Sequence, residues 1–423
     1  MSRGRTVAVA LLLVLAVLGS LLAGVGLVRS VVGVDEARNQ ELAAAQLRHL
    51  VPAVAAGADD DMARLFPEGR ELTQALVAMA ALDLALADGS GTDQALAAAD
   101  EATGVLRDPA TAARFGVQGG GVFLQGWALQ VEERRAALTG RPDDAADVAE
   151  RAARLAASLR AGLDRGEPFL ESYPGRRWPV DTVVAVSALA RTGADDDLVQ
   201  RWVDAAGPVA DPATGLLPHE VDAAMRPVEG PRGTSSLLES AFWPDVDPAL
   251  SARRWAVVTE VFVVRRAGLV GVREHPAGVP SPVLGDVDSG PLVAGVSLSA
   301  SAVALAGARR HGDAVLADSL QREAEWAGVP VQLGPARRYA GGVLPVADAF
   351  LVWARAQPHD LAPADDLAPA DAEVDAGTGT AAVVWPWPLA GLLVSLLLAG
   401  WAARWLLRSV RRGRVGVAQR GIS

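Results

Sequence analysis

Apolar positions along this chain fall into three patterns. At the N-terminal end, Val7 to Val28 runs without a charge, with Arg3 and Arg5 before it and Arg29 after it. At about 1.5 Å per residue, a helix of that length spans the roughly 30 Å hydrocarbon layer of a bilayer. Leu22-Ala23-Gly24 is a loose match to a small-x-small cleavage site, so the run reads as an anchor ahead of a cleaved signal. Near the other end, Ala381 to Ala403 is again apolar. Trp385 and Trp387 lie at one edge and Trp401 and Trp405 at the other, as in an aromatic belt.

Between these runs the period is helical. Leu72, Leu76, Met79, Leu82 and Leu86 share one face of a helix, and 94–106, 122–138 and 144–163 repeat the pattern. Further helices are predicted over 178–190, 197–205, 235–242, 249–266, 291–310, 313–326 and 346–356. Gly or Pro punctuates the gaps, for example Gly89, Gly140, Gly166, Gly193, Gly312 and Gly328. Val261-Phe-Val-Val264 is the one strand-like run, and it sits in helical register. The body, 35–357, therefore reads as all-α, built from successive hairpins. Thr139-Gly-Arg-Pro-Asp143 looks like one tetratricopeptide turn, but no 34-residue period recurs, which argues against a regular solenoid. Hairpins closed into an (α/α) toroid, with inner and outer rings, fit better. Residues 358–380 hold a tandem hexapeptide, Asp360-Leu-Ala-Pro-Ala-Asp365 and Asp366-Leu-Ala-Pro-Ala-Asp371, and read as an acidic tether.

Charge follows the same divisions. Residues 1–28 carry two Arg and 404–423 carry six, with no acid in either, whereas the rest holds 31 Arg against all 50 Asp and Glu. The positive-inside rule places 1–6 and 404–423 in the cytoplasm. The expectation is a two-pass membrane protein with spans at 7–28 and 381–403, the bilayer as partner, and the acidic body outside. That acidity disfavours nucleic acid. Composition removes chemistry too: without Cys there is no disulfide, thiol nucleophile or Cys-ligated metal. No Gly-x-Ser-x-Gly elbow, phosphate loop or dinucleotide fingerprint is present, and no cofactor is implied.

Four loop-to-helix junctions carry the costly residues. They are 173–182, holding Tyr173, Trp178 and Asp181; 215–222, holding His219 and Glu220; 230–247, holding Arg232, Trp243, Asp245 and Asp247; and 273–291, holding Asp286 and Asp288. Asp181 and Asp288 are plausible helix caps, and the glycines serve turns. Taken together, loop carboxylates and aromatics also suit an acid/base site on a hydroxylated substrate, one acid protonated and another ionised. Asp181 and Asp288 are the candidate pair, with Asp286, Glu220 and His219 beside them. Arg232 would position the substrate; Tyr173, Trp178 and Trp243 would line the cavity. Asp245, Asp247, Asp286 and Asp288 are hard-oxygen residues without EF-hand spacing, so no metal is assigned.

Trp178-Pro-Val-Asp181-Thr182, Pro231-Arg-Gly-Thr-Ser-Ser236 and Gly285-Asp-Val-Asp-Ser-Gly-Pro291 resemble the second half of (α/α)6-toroid proteins. The nearest likeness is to the bacterial linalool dehydratase/isomerase group, with a broader one to toroidal glycoside hydrolases and lyases. The resemblance implies a central cavity doing acid/base chemistry on an alcohol or sugar, with Asp181 and His219 as acid/base residues by position. Sites of the dehydratase type include cysteines, which this chain lacks. The sequence thus points to a hydrolase- or lyase-type enzyme acting on an envelope glycan or other hydroxylated molecule. The alternative is a non-catalytic helical scaffold or binding domain.

Overall fold

The computed structural model describes residues 3–31, 34–193, 196–266, 269–280, 285–286, 289–290, 292–293, 295–358 and 386–418. Helix makes up 69% of it. The helices are α1 (Arg3–Val31), α2 (Glu36–Ala55), α3 (Met62–Leu65), α4 (Gly69–Asp88), α5 (Thr92–Leu106), α6 (Pro109–Phe115), α7 (Gly121–Thr139), α8 (Pro142–Asp164) and α9 (Pro179–Arg191). They continue with α10 (Asp196–Ala206), α11 (Gly233–Ser240), α12 (Trp243–Val246), α13 (Pro248–Phe262), α14 (Leu298–Arg310), α15 (Ala314–Ala327), α16 (Pro345–Ala356) and α17 (Pro386–Ala418). Two compact units share the chain, one of residues 1–33, 321–329 and 382–423, the other of 34–320 and 330–381.

In the smaller unit α1 packs along α17. Gly19 faces Ser395, whose Oγ would lie 3.0 Å from an added Cβ, so small residues set this approach. The expectation of membrane spans is corrected here: among the described residues no helix is long and apolar enough to cross a membrane. A span takes about 20 apolar residues. The two-pass topology and its cytoplasmic termini fall with that expectation. The acidic tether, 359–380, lies outside the described residues.

In the larger unit six helices form a closed cycle of neighbours: α4 packs on α7, α7 on α9, α9 on α11, α11 on α14, α14 on α16, and α16 back on α4. Outside them, α2 lies on α4 and α16, α5 on α4 and α7, α8 on α7 and α9, and α13 on α11. Inner and outer helices alternate along the chain, so the inner six run the same way. Close approach between α7 and α9 depends on Gly126, where an added Cβ would sit 3.1 Å from the Ala185 backbone. Inside the cycle, Trp127, Phe242 and Trp353 come from α7, the end of α11, and α16, every second member of the ring. All three are buried, with ring centroids 5.7 Å apart at each step, so they fill the middle at that level. Burying three such side chains contributes several kcal/mol on the scale of about 25 cal/mol per Å².

The body is mostly helical, as expected, with three small antiparallel sheets between the later helices. They pair β1 (Glu220–Val221) with β2 (Pro227–Glu229), order β3 (Val263–Arg266), β4 (Leu269–Arg273), β6 (Val296–Ser297) and β5 (Leu292–Val293), and pair β7 (Val331–Leu333) with β8 (Ala336–Arg338). The helix predicted over 249–266 ends at Phe262. Val263 then pairs with Val272 and Val264 with Gly271, β-branched residues that fit a pleated surface better than another helical turn. The helix predicted from 291 begins at Leu298 for the same reason, since 292–297 is spent on β5 and β6.

Two buried titratable groups give the larger unit opposing responses to acid. Burial pushes the Glu239 carboxyl up to about 7, against the pull of Arg254 and a 3.4 Å hydrogen bond from Trp243 Nε1. Burial lowers His311 to about 4. Its Nδ1 must donate to Gly307 O (2.8 Å), since a carbonyl only accepts, so Nε2 takes the Ser251 hydroxyl, also at 2.8 Å. A raised acid stabilises below its unfolded pKa, near 4.5, and that stability is lost as pH rises through 7. A depressed His stabilises above 6.5 and loses that as pH falls through 4. Between about pH 4.5 and 6.5 the two slopes oppose. Denaturation from pH 4.5 to 8 should show Glu239→Gln losing stability on acidification, relative to the parent, by about 1 kcal/mol per pH unit in that window. His311→Asn should tilt the other way. Parallel curves for all three proteins would refute both assignments.

Candidate functional site

Most of the predicted site residues lie at or just before the starts of α9 and α11, whereas Trp243 follows the end of α11. Arg232 is the N-cap residue of α11 and is buried. Its Nε donates to Glu274 Oε1 at 2.7 Å, and Nη2 and Nη1 donate to Asp286 Oδ1 and Oδ2, each at 2.8 Å. Glu274, wholly buried, also accepts from Thr234 Oγ1, and its carbonyl receives Gly233 N–H at 2.8 Å. Gly233 is required, because a Cβ there would collide with the Arg273 carbonyl. Partial burial opposes ionisation of Asp286, but the Arg232 guanidinium and the Ser289 N–H outweigh it and hold the carboxyl far below its ordinary range. Asp286 is therefore a fixed anion and not a proton donor.

The other candidates have separate partners. Glu220 is gripped at both oxygens by Arg176, whose guanidinium lies 5.0 Å from the Trp178 ring centre. Asp181 is not the cap of α9, since Trp178 holds that position; it sits in the first turn and accepts from Ser172 Oγ. Tyr173 donates its hydroxyl to Glu68, stacks on Phe115 at 4.9 Å and meets Trp178 edge-on at 5.7 Å. Burial, with Glu68 beside it, raises its phenol well above the usual value. His219 is buried with Nδ1 2.6 Å from Ser235 Oγ. Trp243 is a core residue, stacked on Trp202 at 5.4 Å with the Arg254 guanidinium 4.2 Å over its ring.

Asp245 accepts from Ser187 and Arg310, Asp247 caps α13 through Leu250 N–H, and no group of three metal-ligating acids or histidines occurs among the described residues. Asp288 lies outside the described residues. The structure thus brings Arg232, Glu274, Thr234 and Asp286 together, and places Asp181, Glu220 and His219 with other partners.

An opening lies at the opposite end, where the inner helices finish. A cavity of about 490 Å³ is lined by Arg134, Arg191, Arg309, Arg310 and Arg355, together with Glu36, Asp83 and the apolar group Leu84, Leu86 and Ala87. Arg191, Arg309, Arg310 and Arg355 occupy the last turns of α9, α14 and α16. Alternating charges run around the wall. Arg134 donates to Asp83 at 2.7 Å and to Glu133 at 3.0 Å; Arg191 shares the same Glu133 oxygen, and its Nη1 lies 3.7 Å from Asp245. Arg310 reaches Asp245 at 2.7 Å, and Arg309 holds Glu36 through two contacts of 3.0 and 3.1 Å. Burial of Arg191 is outweighed by Glu133 and Asp245, so its guanidinium stays charged at any working pH. Arg191 donates only through Nε, and both terminal nitrogens make no hydrogen bond among the described residues. The sequence signal for this site was arginine placed in the last turns of otherwise apolar helices. A second cavity, about 250 Å³, lies between α5, α7 and α8; its wall is cross-paired by Arg135 with Asp100 and Asp144 and by Arg107 with Glu132.

No known protein-family model matches the chain, and no curated protein matches it.

Removing Arg232 tests whether the first cluster is structural. Arg232→Ala leaves Glu274 charged and wholly buried, which should cost about 3–5 kcal/mol in urea unfolding. Thr234→Val removes one hydrogen bond to the same carboxylate and should cost about 1–3 kcal/mol. Equal, small losses in both would mean that Glu274 reaches solvent.

Proposed function

We propose that this chain is a non-catalytic helical binding protein, with the arginine-lined basin as the seat of a small anionic ligand. Five guanidinium groups line that basin with Glu36 and Asp83, their pairs completed by Glu133 and Asp245, and the terminal nitrogens of Arg191 make no hydrogen bond there. That hydrogen-bonding capacity is the observation that carries the reading. Helix carbonyl ends attract cations in any protein, which accounts for arginine in those turns. It does not account for terminal nitrogens that make no hydrogen bond, only a 3.7 Å ion pair to Asp245, beside a cavity of ligand size.

The acid/base reading has less support. It needs a carboxyl that can hold a proton at working pH. Asp286 is fixed as an anion by Arg232, Glu220 is gripped by Arg176, and Trp243 is packed into the core. The chain as a whole carries a net charge of −11, which repels a polyanion while leaving a small anion to feel the local arginines within a Debye length of about 8–10 Å.

Arg191 gives the cleanest test, because Glu133 keeps Arg134 and Asp245 keeps Arg310 when it is replaced. Equilibrium dialysis of the full chain against glutarate, hexanoate and inorganic phosphate should find saturable one-to-one binding of at least one. Arg191→Gln should weaken that binding roughly tenfold or more, the worth of a charge-assisted hydrogen bond. Binding unchanged in the variant, or no saturable binding at all, would overturn the proposal.

A further inference from the structure

We infer that the basin is built for a carboxylate, that Glu36 is its resident occupant, and that the ligand is a small organic carboxylate with a short apolar body. This deepens the binding reading above and rests on it.

The geometry at Arg309 points to the ligand class. Arg309 is almost fully buried, and its Nε donates to the Gln357 carbonyl at 2.9 Å, so the guanidinium is fixed in place. Its Nη1 and Nη2 then meet Glu36 Oε2 and Oε1 at 3.0 and 3.1 Å, a fork-to-fork pairing that matches a planar carboxylate. The two partners are unequal in freedom. The Glu36 side chain is 46% exposed, on the first residue of α2, whereas that of Arg309 is 3% exposed. Glu36, which also accepts from Gln40 Nε2 at 3.2 Å, can turn to water and stay solvated, whereas Arg309 cannot follow it, so the exchange is favourable only when another carboxylate fills the fork. An arriving carboxylate can therefore take the same fork, with the spare nitrogens of Arg191 among the other donors on the wall.

Facing the arginines, the end of α4 contributes Leu84, Leu86 and Ala87 to the same wall. These apolar side chains suit a hydrocarbon body of a few carbons and offer nothing to a bare inorganic ion. Glu36 is itself such a group, a carboxylate on a two-carbon stem.

Two probes and three substitutions separate the parts of this inference. Titration calorimetry of the full chain should show hexanoate binding more tightly than inorganic phosphate. Glu36→Gln, which keeps shape and removes the competing charge, should tighten hexanoate about tenfold, and Glu36→Ala should do the same. Hexanoate affinity unchanged or weakened in both Glu36 variants overturns the resident-occupant role. Phosphate binding in preference to hexanoate, and lost in Arg191→Gln, overturns the carboxylate class while the binding reading stands. Absence of binding by either probe in every variant overturns both.

Discussion

Closure of the inner ring is the constraint on which the rest of the larger unit depends. Six helices that alternate with outer partners must run the same way, so their N–H ends collect on one side and their carbonyl ends on the other. Each end leaves backbone groups without intrahelical partners and a partial charge of about half a unit. The side chains follow that polarity. Glu68, Glu71, Asp181 and Asp348 sit at or near helix starts, whereas Arg191, Arg309, Arg310 and Arg355 sit in final turns. Closure also denies the inner helices a solvent face, which is why α7 is buried nearly throughout and why Trp127, Phe242 and Trp353 must meet in the middle.

Arginine is the side chain that makes this arrangement workable. A buried ammonium would offer one compact charge, whereas a guanidinium presents five donors in a plane and can serve several acceptors at once. Arg232 spans Glu274 and both oxygens of Asp286. Arg134 joins Asp83, Gln130 and Glu133, tying the ends of α4 and α7 together. All 39 basic residues of this chain are arginine, so each of these bridges was available wherever a basic residue fell. Burying such pairs stabilises little in itself, because desolvation offsets attraction; removing one partner is what costs. The networks therefore specify which helix ends meet, more than they strengthen the fold.

Helices were legible in the sequence because their signals are local. The runs predicted over 122–138, 144–163 and 346–356 match α7, α8 and α16 to within a residue or two, since Gly, Pro and apolar spacing mark both ends. The strands were hidden: Val263 and Val264 continue a helical apolar face and become β only through pairing with β4, which local periodicity does not report. The terminal apolar runs suggested membrane spans from composition, yet no described helix meets the length and apolarity a crossing demands. Among candidate site residues, Arg232 and Asp286 do meet, but as a locked ion pair, while Trp243 went to the core. Residue type had marked them as costly. Costliness alone does not distinguish a catalytic carboxylate from one held by a buried guanidinium, because both need an unusual environment.

The two ends of the ring differ in how their charges are paired, and the binding proposal rests on that difference. At the starting end Arg232 gives its nitrogens to Glu274 and Asp286, and Arg176 grips Glu220. Such clusters hold loops against helix starts. At the finishing end five guanidinium groups share the wall with Glu36 and Asp83 and pair also with Glu133 and Asp245, and the terminal nitrogens of Arg191 make no hydrogen bond among the described residues. Dipole complementarity would be met by one cation per helix end, yet α14 alone brings Arg309 and Arg310 to this wall. A structural belt that only closed the ring would pair its charges and fill its centre with apolar side chains, as the aromatic trio does elsewhere along the same helices. The finishing end keeps a cavity instead, and that is where the proposed small anion would sit.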